Sequence, residues 1–199
     1  MARSSVAVLA LAVASLIACT DDSTGPDGTV RFETSFESGL DGFTPDGTDL
    51  DDPPVEWSIE RTDERADDGQ WSVRLDLENL NDAGKIWIEC SFSLEPGAVY
   101  DVDVSFALGT SDFGAFNLWT LIAGVTATDP ESVADLVFQG ETGTGEDEDL
   151  GVVWLEKGHT FSATASPSGE LWVSLGVWGT WETHRTYYLD DVSIVFTPR

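Results

Sequence analysis

Carboxylates stand at both ends of this chain where strands normally carry none. Near the start runs Phe36-Glu37-Ser38-Gly39-Leu40-Asp41-Gly42-Phe43, and near the finish Tyr187-Tyr188-Leu189-Asp190-Asp191-Val192-Ser193-Ile194. Apolar stretches broken by acids in this way make sense if the first and last strands lie side by side and share a hard cation, because Ca²⁺ takes several oxygen ligands. A second set of chemistry-bearing residues is aromatic. The chain has eight tryptophans. The C–H faces of pyranose rings pack on flat aromatic side chains, while Asp, Glu, Asn, Gln and Arg take the hydroxyls.

Strand alternation sorts these aromatics. In Ile86 to Leu94 the set Ile86, Ile88, Cys90 and Phe92 marks a core face, so Trp87 and Glu89 point the other way. In Trp172 to Trp178 the residues Val173, Leu175 and Val177 face the core and leave Trp172, Ser174 and Trp178 opposite. Trp181 and Arg185 fall in the stretch Trp181-Glu182-Thr183-His184-Arg185-Thr186, read as a loop. The candidates for ligand contact are therefore Trp87, Glu89, Trp172, Trp178, Trp181 and Arg185. Trp71 shares a face with Val73 and Leu75 and is expected in the core. The alternative for the outward tryptophans is burial beneath a loop.

Catalysis finds little support. A glycosidase sets two carboxylates at a fixed separation across a cleft, and the Glu-x-Asp-x-x-Glu strand motif of jelly-roll glycosidases is missing. So is Gly-x-Ser-x-Gly. His159 and His184 have no Cys or His at metal-ligand spacing.

The elements that must position these residues are strands. Period-two alternation runs through Trp71–Leu77, Ile86–Leu94, Tyr100–Leu108, Trp172–Trp178 and Val192–Phe196. Glu95-Pro96-Gly97 reads as a turn between two of them, and residues 46–55 and 140–149 as loops, the second carrying Glu146-Asp147-Glu148-Asp149. Asp129-Pro130-Glu131 with Val133, Leu136 and Val137 is either a capped helix of two turns or a loop entering a strand. Many short strands with Gly and Pro turns predict an all-β fold, a jelly-roll sandwich of two antiparallel sheets whose first and last strands are neighbours.

The first residues read as a targeting segment. Arg3 precedes an apolar run from Val6 to Ile17, shorter than the roughly 20 residues a bilayer span needs. The run ends in Leu16-Ile17-Ala18-Cys19, which resembles a bacterial lipobox. The expectation is a signal peptide over 1–18, a lipidated Cys19 with a flexible polar tether over 19–30, and a domain over 31–199. Acylation of Cys19 would hold the domain in the bacterial cell envelope, lipid-anchored and facing the periplasm or the exterior. Cys90 is then unpaired and serves as a small buried hydrophobe. The net charge of −28, from 37 acidic and 9 basic side chains, excludes nucleic acid as a partner and keeps the domain soluble.

The order of short motifs resembles a known family. Ser35-Phe36-Glu37-Ser38-Gly39 with Phe43, Asp68-Gly69-Gln70-Trp71-Ser72-Val73, Leu94-Glu95-Pro96-Gly97-Ala98-Val99-Tyr100 and Tyr188-Leu189-Asp190-Asp191-Val192 look like carbohydrate-binding modules of families four, nine and twenty-two. These belong to the galactose-binding-domain-like jelly rolls. The resemblance covers residues 32–196 and is poor between 110 and 158. It implies a structural calcium held by Glu37 and Asp190, with Asp191 as the alternative to Asp190, and with backbone carbonyls near Ser35 and Asp68. It also implies non-catalytic binding of a polysaccharide or glycan. The alternative is a surface adhesion or scaffold lipoprotein with a protein partner, and a glycoside hydrolase ranks last.

Overall fold

A computed structural model describes residues 19, 23–25, 27–110, 119–140, 151–180 and 183–199. Among these there is no helix, and eleven strands form two antiparallel sheets. The smaller sheet has the order β3 (Thr44–Thr48), β6 (Lys85–Ser93), β10 (Glu170–Gly179), β8 (Trp119–Thr126). The seven-stranded sheet is built around β11 (Thr183–Pro198). One edge of β11 pairs first with β5 (Ser72–Asn79) and then with β2 (Val30–Thr34). Its other edge pairs with β7 (Val99–Thr110), and β9 (Val153–Thr164) lies beyond β7. Next to β5 lies β4 (Glu56–Thr62), and next to β2 the two-residue β1 (Ser23–Thr24).

The core is the layer between the sheets. Val73, Leu75, Leu77, Val102, Val104, Leu189 and Ile194 meet Ile86, Ile88, Phe92, Val173, Leu175 and Val177, all buried. Aromatic rings close one end, with Phe92 packed on Phe196 at 4.9 Å and on Phe32 at 5.5 Å between centroids. Alternation worked because each strand has one face in this layer. The first long strand and the last are neighbours, Val192 to Phe196 running antiparallel to Thr34 to Val30.

Several sequence expectations are corrected here. Cys19 and Cys90 form a disulfide, 71 residues apart in sequence. The unpaired Cys90 is thereby overturned, and because one sulfur cannot hold both this bond and a thioether-linked lipid, the disulfide and the expected lipidation of Cys19 are alternatives. Some of the described residues in the 19–30 stretch, expected as a tether, are held against the domain. Cys19 N–H donates to the Ser91 carbonyl at 3.2 Å, and Ser23–Thr24 pairs with Val30–Arg31. Residues 44–48, expected within or beside a loop, form edge strand β3, and 183–186, also expected as a loop, begin β11. Trp71 is half-buried rather than core. It precedes β5, where the alternation no longer binds it, and the Arg61 guanidinium lies 3.7 Å from its ring centroid. The acidic run at 146–149 lies outside the described residues.

Candidate functional site

Two places gather chemistry-bearing side chains: the junction of the chain ends, and the outer face of the four-stranded sheet.

At the junction the loop before β5 is gripped from both ends of the chain. Asp190 is fully buried, its Oδ2 accepting from Asp67 N–H at 2.8 Å and Asp68 N–H at 3.1 Å. Its Oδ1 accepts from Asp191 N–H at 2.8 Å. Burial raises the Asp190 pKa, and these backbone donors only partly offset it. Glu37 Oε1 accepts from Gln70 N–H at 2.7 Å and Trp71 N–H at 2.9 Å. A Cβ at Gly69 would overlap that carboxylate, and Gly69 has φ +67°, so the close approach and the backbone both require glycine. A bulge between Asp190 and Ser193 sends Asp191 outward at φ 47° and separates the two acids that alternation alone left undecided. Ser35 is half-buried just after β2, and Asp68 is exposed.

The donors here are hard oxygens, and among the described residues no cationic side chain pairs with Asp190. Both features suit Ca²⁺. Asp190 and Glu37 would be the side-chain ligands. Arg61 already donates to the carbonyls of Phe36 and Glu37, each at 2.5 Å, so a cation would draw on other backbone oxygens. Among the described residues no three acidic, His or Cys side chains gather tightly enough to hold a metal together.

The outer face of the four-stranded sheet is polar and aromatic. Across its strands Thr48, Lys85, Trp178 and Thr120 form one row, and Asp46, Trp87, Gly176 and Ile122 the next. Thr44, Glu89, Ser174 and Gly124 form the third, and Ser91, Trp172 and Thr126 the fourth. Trp172 and Trp178 are half-buried, six residues apart on one strand and about 20 Å from each other. Lys85 Nζ lies 4.7 Å from the Trp178 ring centroid and pairs with Asp49 at 2.7 Å. Trp178 Nε1 donates to the Asp82 carbonyl at 3.1 Å. Alongside opens a cleft of about 530 Å³ lined by Thr48, Asp49, Asp51, Asp52, Asn81 and Ala83.

The middle of this face is covered. Trp87 is 0% exposed and Glu89 6%, so the outward direction read for them is right but the open position is not. Leu136 and Phe138 pack on Trp87 and Ile122, and Phe138 meets Trp178 edge to face. The stretch that carries them is neither a helix nor the start of a long strand. Trp87 Nε1 donates to Glu89 Oε2 at 2.6 Å. Burial drives the Glu89 pKa up to about 8; the Trp87 donor opposes this, and the charges of Asp129 and Asp46 reinforce it. Asp46 is raised as well, first by burial and also by Asp129.

Arg185 is not part of this face. It is half-buried on β11 opposite Leu77, in the other sheet. Trp181 lies outside the described residues. Sequence reading missed Asp46, Lys85 and Asp129. Asp46 was hidden because a five-residue edge strand containing Pro45 and Gly47 carries no alternation signal.

No family model matches the chain, and no curated protein matches it. Solved structures do. The K3 cleaved adhesin domain of Lys-gingipain from Porphyromonas gingivalis W83 is 16% identical, with 84% of this chain and 99% of that one covered, at a TM-score of 0.56. The K1 cleaved adhesin domain of the same protein is 14% identical, with 82% and 96% covered, at 0.51. The CBM22-1 xylan-binding domain of Paenibacillus barcinonensis Xyn10C is 19% identical, with 84% and 94% covered, at 0.49. At these identities the likeness is one of fold, the all-β sandwich.

Proposed function

We propose that this chain binds a polysaccharide or glycan without cleaving it, using the outer face of the four-stranded sheet. The observation that carries the reading is the pair Trp172 and Trp178, half-buried on one strand and one face, at the two ends of the covered middle rows. Two aromatic platforms about 20 Å apart suit an extended chain rather than a single sugar. The cleft beside Trp178, with Asp49, Asp51, Asp52 and Asn81, supplies acceptors and amide donors for sugar hydroxyls.

A structural Ca²⁺ at Glu37 and Asp190 belongs to the same proposal. It would neutralise the buried charge of Asp190 and lock the 67–71 loop to both chain ends; its role is stability, not catalysis. The Cys19–Cys90 disulfide supports a location in an oxidising compartment outside the cytoplasm as part of the same reading.

The test is a glycan array on a chain starting at Cys19, followed by titration with the best ligand. Trp172→Ala and Trp178→Ala should each weaken binding about tenfold or more, as loss of a stacking aromatic usually does; Trp172→Ala should leave the melting temperature nearly unchanged, and Trp178→Ala should lower it, since its ring meets Phe138 and Lys85 and its Nε1 bonds the Asp82 carbonyl. Trp87→Ala should instead destabilise by about 3–5 kcal/mol, being buried. If Trp172→Ala and Trp178→Ala both bind glycan as well as the parent does, the platform is elsewhere.

A further inference from the structure

Residues 129–139 cross the outer face of the four-stranded sheet like a strap. It is fastened along one edge of β8, where Ala123 N–H donates to the Val137 carbonyl at 3.1 Å and Gln139 N–H to the Leu121 carbonyl at 3.0 Å. The Gln139 side-chain amide adds a bond to the Ala123 carbonyl at 2.6 Å. Gly124 makes room for it, since a Cβ there would lie 2.6 Å from Val137 Cβ. Leu136 and Phe138 then lie on Trp87 and Ile122.

The fastening at the other end is of a different kind. Asp129 comes over the sheet beside Glu89 and Asp46, bringing three carboxylates together under the strap. One oxygen of Asp129, Oδ1, is buried without a hydrogen-bond partner among the described residues. Burying an unpaired acceptor next to two further acids costs free energy unless a proton is shared among them.

We propose that the 129–139 strap is a removable cover that competes with a glycan chain for the sheet face, held down while the Glu89 carboxyl beneath it keeps its proton and released as that group ionises. This rests on the carbohydrate reading for the identity of the competitor, but not for the opening itself. The groups facing Glu89 are Asp46 from β3, Asp129 from the strap, and Ser174, with Gly124 beyond it, from β10 and β8. None of these is cationic, and Lys85 two rows away is engaged by Asp49. Ionisation at Glu89 therefore meets only repulsion from the strap. Lifting the strap would uncover Trp87 and join it to Trp172 and Trp178 in one aromatic track.

The direction with pH follows from proton linkage. With the strap down, Glu89 holds its proton up to about pH 8. With the strap lifted it faces water and titrates nearer the ordinary carboxylate range. The opening equilibrium then rises by up to about tenfold per pH unit from roughly pH 5 to pH 8 and levels off above.

Hydrogen exchange at the Ala123 and Gln139 amides reads the opening without any ligand. After division by the intrinsic rate, both should speed up with pH over that window, and at every pH both should exchange faster than amides in the β7–β11 pairing, which open only with the whole fold. Asp129→Asn should flatten the dependence. Leu136→Ala/Phe138→Ala should speed exchange at every pH and tighten glycan binding several-fold at pH 6. Protection at Ala123 and Gln139 that stays constant from pH 5 to 8 overturns the strap. Exchange that responds as expected, with no glycan bound by either the parent or the double variant, overturns both the competition and the carbohydrate reading and leaves the opening standing.

Discussion

Breaking the Cys19–Cys90 bond should be among the costliest single perturbations of this fold. The bond closes a loop with a sequence separation of 71 residues. Chain-entropy reasoning assigns a cross-link of that span about 4 kcal/mol, between the values for loops of roughly 15 and 100 residues. For a domain of this size each kcal/mol shifts the melting temperature by about 2–4 °C, so its loss should lower the midpoint by about 10–15 °C. The assay is calorimetric melting of the parent with and without reductant, beside Cys19→Ala, Cys90→Ala and the double variant. Both singles, the double and the reduced parent should fall to nearly the same midpoint, because one bond is lost in each case and the losses cannot add. A small excess is expected at Cys90→Ala, since Cys90 is 1% exposed and leaves a void. Intact mass should show the parent two hydrogens lighter than the reduced chain. The reasoning is refuted if reductant leaves the midpoint unchanged, if the two single losses sum in the double variant, or if Cys19 isolated from cells carries a lipid.

Three further outcomes follow from the same structure. Stability should fall as pH rises from about 5 to 8: folded Glu89 keeps a proton that the unfolded chain has released, a difference of up to about 5 kcal/mol. Glu89→Gln should flatten most of that slope in urea titrations across pH. Below about pH 4 the slope should reverse. Asp76 is raised by burial but more than compensated by bonds to His184 and Thr186 and by the charges of His184 and Arg74, so its pKa is lowered and its stabilisation disappears on protonation. Ca²⁺ at one hundred times its Kd should add about 2.7 kcal/mol, removable by chelator and lost in Glu37→Ala and Asp190→Ala. An identical midpoint with calcium and with chelator would leave the loop to its backbone N–H bonds and Arg61 alone.

How much of this was legible depends on the range of each interaction. The face of every long strand could be read from period two, because the core layer is the dominant influence on side chains at alternate positions: Ile86, Ile88, Val173 and Leu175 needed no tertiary knowledge. The end-to-end pairing of β2 with β11 was legible too, since acids inside apolar strands are costly unless something at the seam receives them. What failed was longer in range or finer in grain. Alternation assigned Trp71 to the core by continuing a strand one residue past its start. It could not choose between Asp190 and Asp191, because a bulge inserts the extra residue that breaks the period. The motif around Cys19 is local, whereas its partner lies 71 residues away, and local pattern outweighed an unseen contact.

The tryptophans show the same limit at the site itself. Period two states which way Trp87 points and is silent on what lies above it. Leu136, Val137 and Phe138 carry neither a clean helical nor a clean strand period, because they serve two surfaces. Val137 and Gln139 bond the edge of β8 while Leu136 and Phe138 cover Trp87. A segment fastened to a strand edge on one side and lying over a protonated buried carboxyl on the other has no periodic signature, yet it decides whether the face beneath is open. The residue pattern that best marks it is the conflict between Glu89 and its surroundings: a carboxylate on the outward side of a strand, where solvent would be expected, that is nonetheless buried beside two further acids. Solvent-facing acids ordinarily need no cover, and a covered one is costly unless protonated. The buried carboxylate and the strap over it are therefore one feature, and the exposure of this sheet face should vary with the protonation of Glu89.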